Sequence, residues 1–581
     1  MNGDFQNPQD DPSMQKRLIL VFVITFIIIL GMQPLMKKFA PQPEPEKPQQ
    51  SAPAQPAAAP AAGQPASPAA PAGATPQAAA VPTKQGTAET ETVIENGLYK
   101  ITFTNRGAQV KSWILKNYND DQGKPLDLVQ QKAAQQYGYP LSLWSYDEGL
   151  RAKLNSALYV ASASGTKSAP ADVSFEYSDG GLTVRKSFRF DHSYVVKIET
   201  EVVQNGAYVT AYPAWPAGIG DQEQAVAFAA GTVDYMSAGK IERLAGKKVP
   251  GGATVQGPLD WAGPVDQYFA AVFMPDDPQH ASLVMLHQAI ELPGSTEKDP
   301  NKIPKVSVLG AAVGTMGGKT STRLFAGPKV TDVLESVRTA SGETLESTVD
   351  FGFFGIISKP LFLWLKWTQA HWVSNWGWAI MLLTVIINLA LFPLRFSSMK
   401  SALKMQKIAP QIKALQEKYK KFKLNDPRRA QQNEEMAALY KREGVNPIGG
   451  CLPMVIQLPF LFAFYSMLRN AIELRHAHWL WVHDLASADP THLLPIGIIV
   501  TMFLTQRFTP QAGMDPMQQR MMNVMMPVMM GVISWNLSAG LGVYWVMSQV
   551  LGIAQQMWIN NTEFGREMRA HAEERARKKG K

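Results

Sequence analysis

Residues 376–395 read WGWAIMLLTVIINLALFPLR, and the interpretation of this stretch decides the architecture. The run is long and apolar enough for a membrane helix, yet it carries Asn388 inside and Arg395 just beyond Pro393. On a helix Thr384 and Asn388 are four positions apart, and Asn388 and Arg395 seven, so all three share a face. The helical rise sets Arg395 roughly 10 Å nearer the helix's C-terminal end than Asn388. One reading is a polar lane that enters the bilayer partway, because intramembrane polar groups tend to face a bundle interior or a wet cavity. The other reading is interhelical hydrogen bonding, worth about 0.6–2 kcal/mol per group, with Arg395 marking the membrane boundary. Spacing alone leaves both open.

Working outward, the chain of 581 residues is too long for one ordinary domain, and its apolar runs are concentrated at 18–36 and after 350. The single cysteine, Cys451, excludes an intrachain disulfide. Lys16 and Arg17 precede LILVFVITFIIILGMQPLM (18–36) with no small-x-small cleavage site after it, which predicts a signal anchor following a short N-terminus, 1–17. Residues 37–89 are rich in Pro and Ala and read as an extended linker. From 90 to 345 the period changes to two, as in DVSFEYSDGGLTVRKSFRF (172–190), where Asp179-Gly180-Gly181 separates two alternating runs. This predicts a large β-sandwich. Residues 351–373, dense in Phe and Trp but interrupted by Lys359, Lys366 and His371, read as an amphipathic helix in the membrane interface.

Five spans are expected at 376–394, 449–469, 493–508, 521–535 and 541–559, so the anchor makes six and both termini share a side. The formal net charge of +8 is distributed to choose that side. Lys and Arg far outnumber Asp and Glu in 395–446, and the tail 560–581 ends RARKKGK, which places both in the cytoplasm with the loop 509–520. The loop 470–492 and the β-domain then lie outside, in a periplasm. Within 395–446 a basic helix from Ser398 to Lys423, and a second begun by Asp426 and Pro427, make a helical hairpin.

Several side chains are candidates for function. Gln457, Ser548 and Gln549 can line the same space as Thr384, Asn388 and Arg395. The span at 521–535 opens MMNVMMPVMM, and methionine suits surfaces that accept varied apolar partners, although core filling is the commoner use. His476, His478, His483 and His492 sit in an aromatic loop and read as polar tips rather than as metal ligands, so no metal site is assigned. VGTMGGKT (313–320) lacks the first glycine of a phosphate-binding loop and lies among strands; with no other nucleotide motif, no cofactor is expected and any membrane work proceeds without ATP hydrolysis by this chain.

The stretches NPIGGCLPMVIQLPFLFAFYSML (446–468), LWVHDLASADP (480–490), DPMQQRMM (515–522) and SAGLGVYWVMSQVLGIAQQ (538–556) resemble the YidC/Oxa/Alb family of membrane protein insertases. ITFTNRGAQVKSWIL (101–115) and DQYFAAVFMP (266–275) are similar to the periplasmic domain of its Gram-negative members. The resemblance implies a protein of the inner membrane, not an enzyme, that inserts and chaperones hydrophobic segments of nascent membrane proteins, alone or beside the Sec translocon. It implies a hydrophilic groove open to cytoplasm and lipid, a β-supersandwich in the periplasm, and no small-molecule substrate. Five helices would form the insertase core. Substrates would pass Met525, Met526, Met529, Trp535, Tyr544 and Trp545. The cytoplasmic hairpin and tail, through Lys413, Lys420, Lys421, Arg428, Arg429, Arg575, Arg577, Lys578 and Lys579, would receive substrates and the ribosome. The family's typical groove arginine has Asn388 at its position here, so a charge-based groove is not carried over to that residue.

Partition explains how insertion proceeds without fuel. Twenty mostly aliphatic residues favour the bilayer by roughly 6–12 kcal/mol, while each flanking charge costs about 2.5–3.5 kcal/mol at the centre. A carbohydrate-active protein on a membrane anchor is the alternative, requiring a catalytic set built around His192, His280 or His287.

Overall fold

The computed structural model describes residues 82–220, 231–291, 305–419, 428–444, 452–508 and 520–563, with Phe422 and Arg566. The expected anchor at 18–36, nearly all of the linker, the loop 509–519 and the tail beyond Arg566 lie outside the described residues.

The period-two region is a set of strands from Glu91 to Pro328 in three sheets, of five, ten and five strands. The hairpin expected from 172–190 pairs Ala171–Asp179 with Leu182–Phe190, with Asp179 opposite Leu182. A two-residue connection of this kind needs positive φ at both central positions, which Gly180 (55°) and Gly181 (85°) provide. Its inward row, Leu182, Val184, Phe188 and Phe190, packs into a core that includes Phe103, Phe175 and Trp113.

Lys186 breaks the apolar row. It is fully buried, and its Nζ donates to the carbonyls of Gly107, Ala108 and Leu141 at 2.9, 2.6 and 2.6 Å. All three acceptors sit in left-handed backbone, at φ 66°, 46° and 64°. One ammonium therefore ties down two turns that side-chain-bearing residues adopt reluctantly. Burial pushes that ammonium down to about 7.

The C-terminal part is helical. Helices α1 (Gly355–His371), α2 (Trp376–Ala390), α3 (Phe392–Tyr419), α4 (Arg428–Glu443), α5 (Leu452–Asn470), α6 (Leu493–Phe508), α7 (Met526–Ser534) and α8 (Ala539–Asn561) follow in order. Helix α1 buries Ser358, Leu361, Phe362, Leu365 and Thr368 and leaves Trp364, Trp367 and Leu363 exposed. One face packs inward, and the exposed face is aromatic. Asn375 caps α2 by accepting from the amides of Gly377 and Trp378. Between α2 and the start of α3 the axis bends by 52°. Pro393, which has no amide proton to continue the ladder, accounts for the bend. A π-helical turn, Met521–Met525, leads into α7. Among the described residues no single helix is long and apolar enough to cross a membrane, but the bent pair Trp376–Ala390 and Phe392–Ser398 meets that test.

Helices α3 and α4 form the expected hairpin, closed by Ile408, Ile412, Met436 and Leu439, and by Glu435, which accepts from Lys418 at 2.8 Å and Tyr419 at 2.9 Å. Pro410 does not end α3. Asp426 and Pro427, expected to start α4, lie outside the described residues. The β-domain is fastened to the helices: Gln267 donates to the Arg469 carbonyl at 2.6 Å, Asn470 to the Asp350 carbonyl at 2.6 Å, and Lys366 pairs with Asp332 at 2.7 Å.

Candidate functional site

Helices α2, α5 and α8 meet along one polar seam. On α8, Tyr544, Ser548 and Gln555 fall on one face by their four- and seven-residue spacing. The Asn388 amide donates to the Thr384 carbonyl of its own helix (2.8 Å) and to Ser548 Oγ (3.4 Å); Thr384 Oγ1 donates to the Ile380 carbonyl at 2.6 Å. Thr384 is wholly buried and Asn388 is 4 % exposed. Both residues are therefore buried rather than on an open wall: Asn388 bonds across to α8, and Thr384 bonds only within α2.

The seam continues through three polar side chains that are only half-buried. Gln555 Nε2 donates to the Asn388 carbonyl at 3.3 Å, and Gln555 Oε1 accepts from Arg395 Nη1 at 3.2 Å. Arg395 Nη2 reaches Gln457 Oε1 at 3.4 Å, and Gln457 Nε2 donates to Tyr544 Oη at 3.0 Å. Tyr544 stacks on Phe464 with centroids 4.0 Å apart, which fixes the far end. Arg395, Gln457 and Gln555 are half-buried. Gly552 makes space for the guanidinium, since a Cβ there would stand 3.3 Å from Arg395 Nη1. The bend at Pro393 directs α3 so that Arg395 turns back between α5 and α8. Its acceptors are neutral amides, which orient a cation without neutralising it.

Other expected residues are distributed differently. Gln549 points away from the seam and accepts from Thr505 Oγ1 of α6 at 3.1 Å. Met525 is exposed, whereas Met526 and Met529 are half-buried. The most outward row of this segment is Val524, Val528 and Val532, at 52, 48 and 65 % exposure. Trp535 stacks on His492 at 4.2 Å, and Trp545 packs against the bundle core. Lys413 is exposed, and the Arg428 guanidinium lies 3.8 Å from the Phe422 ring centre. The Arg429 side chain, Lys420, Lys421, Arg575, Arg577, Lys578 and Lys579 fall outside the described residues. Gln555 was missed from sequence, although its heptad relation to Ser548 was there to be read.

His287 and His280 are each engaged locally rather than joined in a catalytic set. Both ring nitrogens of His287 are engaged, by the Val249 carbonyl and Ser307 Oγ at 3.0 Å each, and His280 contacts Asp277 on the surface. A cleft of about 510 Å³ on the ten-stranded sheet is lined by Asp172, Arg189, Asp191, Lys197 and Arg323, and no histidine lines it.

Residues 91–364 match the YidC periplasmic domain, and residues 367–566 match the 60Kd inner membrane protein family. A membrane protein insertase YidC of Geobacter metallireducens is 32% identical over 574 residues, covering 94% of this chain and 99% of that protein. One of Geobacter sulfurreducens is 34% identical over 482 residues, covering 80% of this chain and 85% of that protein. The crystal structure of an active YidC insertase with its first transmembrane domain resolved covers 82% of this chain and 94% of that one, at 20% identity and a TM-score of 0.33. Fold and matches define an inner-membrane protein with a large all-β periplasmic domain followed by a helical region. The chain belongs to the YidC family of membrane protein insertases, and its function is insertion rather than enzymatic catalysis.

Proposed function

We propose that this chain passes the polar flank of an incoming membrane protein along the accessible half of the α2–α5–α8 seam, where Arg395 is presented by Gln457 and Gln555. The observation that carries this reading is a half-buried guanidinium bonded to amide oxygens rather than carboxylates. A cation so held keeps attraction to spare for an acidic or hydrated flank, and it shortens the dry path that flank must cross. The apolar segment then partitions into lipid beside Met525 and the Val524–Val528–Val532 row, at no cost in nucleotide.

In this reading the chain has six spans with both termini cytoplasmic. The α3–α4 hairpin and the basic tail face the ribosome, and the protein works alone or beside the Sec translocon. The test is insertion of single-span substrates into proteoliposomes that contain only this protein. Retained insertion after Gln457 and Gln555 are both changed to Leu would remove the seam from the mechanism.

A further inference from the structure

The segment after α5 makes a tight reverse turn that sets two histidines face to face. The Trp479 amide donates to the Val482 carbonyl and the Val482 amide to the Trp479 carbonyl, both at 2.8 Å, with Leu480 and Trp481 closing the turn. Leu480 takes φ 50°, as such a turn requires. The next pair outward is His478 and His483, and opposite residues of an antiparallel pair project to the same side. Their Nδ1 atoms are 3.4 Å apart, their ring centres 5.3 Å apart and their planes at 81°.

That separation fits a long ring–ring hydrogen bond and also two nitrogens held by one ion. A hydrogen bond between ring nitrogens favours about 3.0 Å and weakens beyond it. Two imidazole nitrogens on one tetrahedral transition ion, each bonded at about 2.0–2.1 Å, stand about 3.3–3.4 Å apart. The turn is also braced. Asn375 donates to the His478 carbonyl at 2.7 Å, Val482 is buried, and Asp484 accepts from the amides of His476 and Ala486 at 2.9 Å each. The Trp479 ring fills the space a side chain at Gly377 would need. Both imidazoles are exposed, so further coordination positions open to water.

We propose that His478 and His483 form a two-histidine site for a divalent transition ion that accepts tetrahedral geometry, such as Zn(II). His476 faces Asp121, 3.7 Å away, and His492 is stacked on Trp535, so neither joins the pair. Asp484 spends its carboxylate on amides and on Ser487 Oγ. Among the described residues no cluster of three or more His, Cys, Asp and Glu exists to close a structural site. The site is therefore open and reversible, and an ion in it ties the two legs of the turn beside the cap of α2. Cu(II), which binds nitrogen ligands tightly but prefers tetragonal geometry, serves as the spectroscopic probe of the same pair.

The experiment titrates Cu(II), and separately Zn(II), into the full chain purified in detergent without a polyhistidine tag. One ion per chain is expected. His478→Ala and His483→Ala each weaken binding at least about 10-fold, the loss produced when even a hydrogen-bond partner of a metal ligand is removed. His476→Ala and His492→Ala bind as the parent does. Electron paramagnetic resonance of the copper form shows two coupled nitrogens in the parent and one in either weakened variant. Equal binding by the parent and the double variant His478→Ala/His483→Ala overturns the proposal, as does an unchanged nitrogen signature. Both side chains are exposed, so unfolding temperatures without metal should agree among the variants.

Discussion

Replacing Arg395 by Gln removes one positive charge while leaving a group that can still hydrogen-bond to Gln457 or Gln555. The structure sets the size of the effect. The guanidinium is half-buried and its contacts, at 3.2 and 3.4 Å, are with neutral amides, so its charge is available to a passing carboxylate. At about 6 Å and an effective dielectric near 20, that attraction is roughly 3 kcal/mol; in bulk water it falls to about 0.7 kcal/mol. Half burial puts the true value between these limits, and insertion of an acidic-flanked substrate should slow between about 3-fold and 100-fold in the variant. The assay compares substrates identical except for their flank (Asp, Gln or Lys) by protease protection in proteoliposomes. The Asp substrate should slow most, the Gln substrate little, and the Lys substrate should be unaffected or faster. Raising salt should shrink the difference, because a partly exposed charge is screened. Equal slowing of all three substrates would show that Arg395 acts through packing, and the electrostatic argument would be wrong.

Asn388→Arg alone should impair insertion, because it adds a second cation to a buried position whose carbonyl is bonded to the Arg395 partner Gln555. Combined with Arg395→Gln, which relieves the repulsion between two cations but not the burial of the new one, activity should recover only in part in a complementation assay. Lys186→Met should destabilise the β-domain by leaving three buried carbonyls unpaired, at about 1–3 kcal/mol each before the relief of burying a charge is subtracted. The sign of its pH dependence follows from burial. The folded lysine is held at about 7, while the unfolded value is about 10.4, so between them the unfolded chain binds the extra proton and stability rises with pH. Below about 7 both states are protonated and the full cost is present. Three carbonyl acceptors favour the ammonium and narrow this window. The gap between parent and variant should widen from pH 7 to 10 in urea denaturation followed by loss of β-sheet circular dichroism, and a constant gap would mean Lys186 does not titrate. Gly531→Val should cost about 1–3 kcal/mol through overpacking, since a Cβ there lies 2.2 Å from Ile499 Cγ1. Ile499→Ala in the same chain should restore the parent's thermal stability.

Local chemistry made much of the architecture legible. Alternation and the Asp179-Gly180-Gly181 turn located the β-domain and one hairpin in register, because side-chain period and positive φ are properties of a few adjacent residues. The helices at Leu493–Phe508 and Ala539–Asn561 fall where apolar runs put them. Thr384 and Asn388 do share one face of α2, since helical spacing is also local, but the spacing to Arg395 crosses the 52° bend, so its place beside them does not follow from helical periodicity.

Which of them meets water was decided only by tertiary structure. Asn388 lies under Ser548 of a helix 160 residues away, and Arg395 reaches the open end because Pro393 bends the chain and Gly552 makes room. Gln549 turned toward α6, and valines rather than methionines took the most exposed row, for the same reason. The sequence by itself determined the elements and the faces they own, because periodicity is written along the chain. Only packing determined which face meets which neighbour, because burial, a paired amide and an unneutralised guanidinium are properties of surfaces brought together from distant segments.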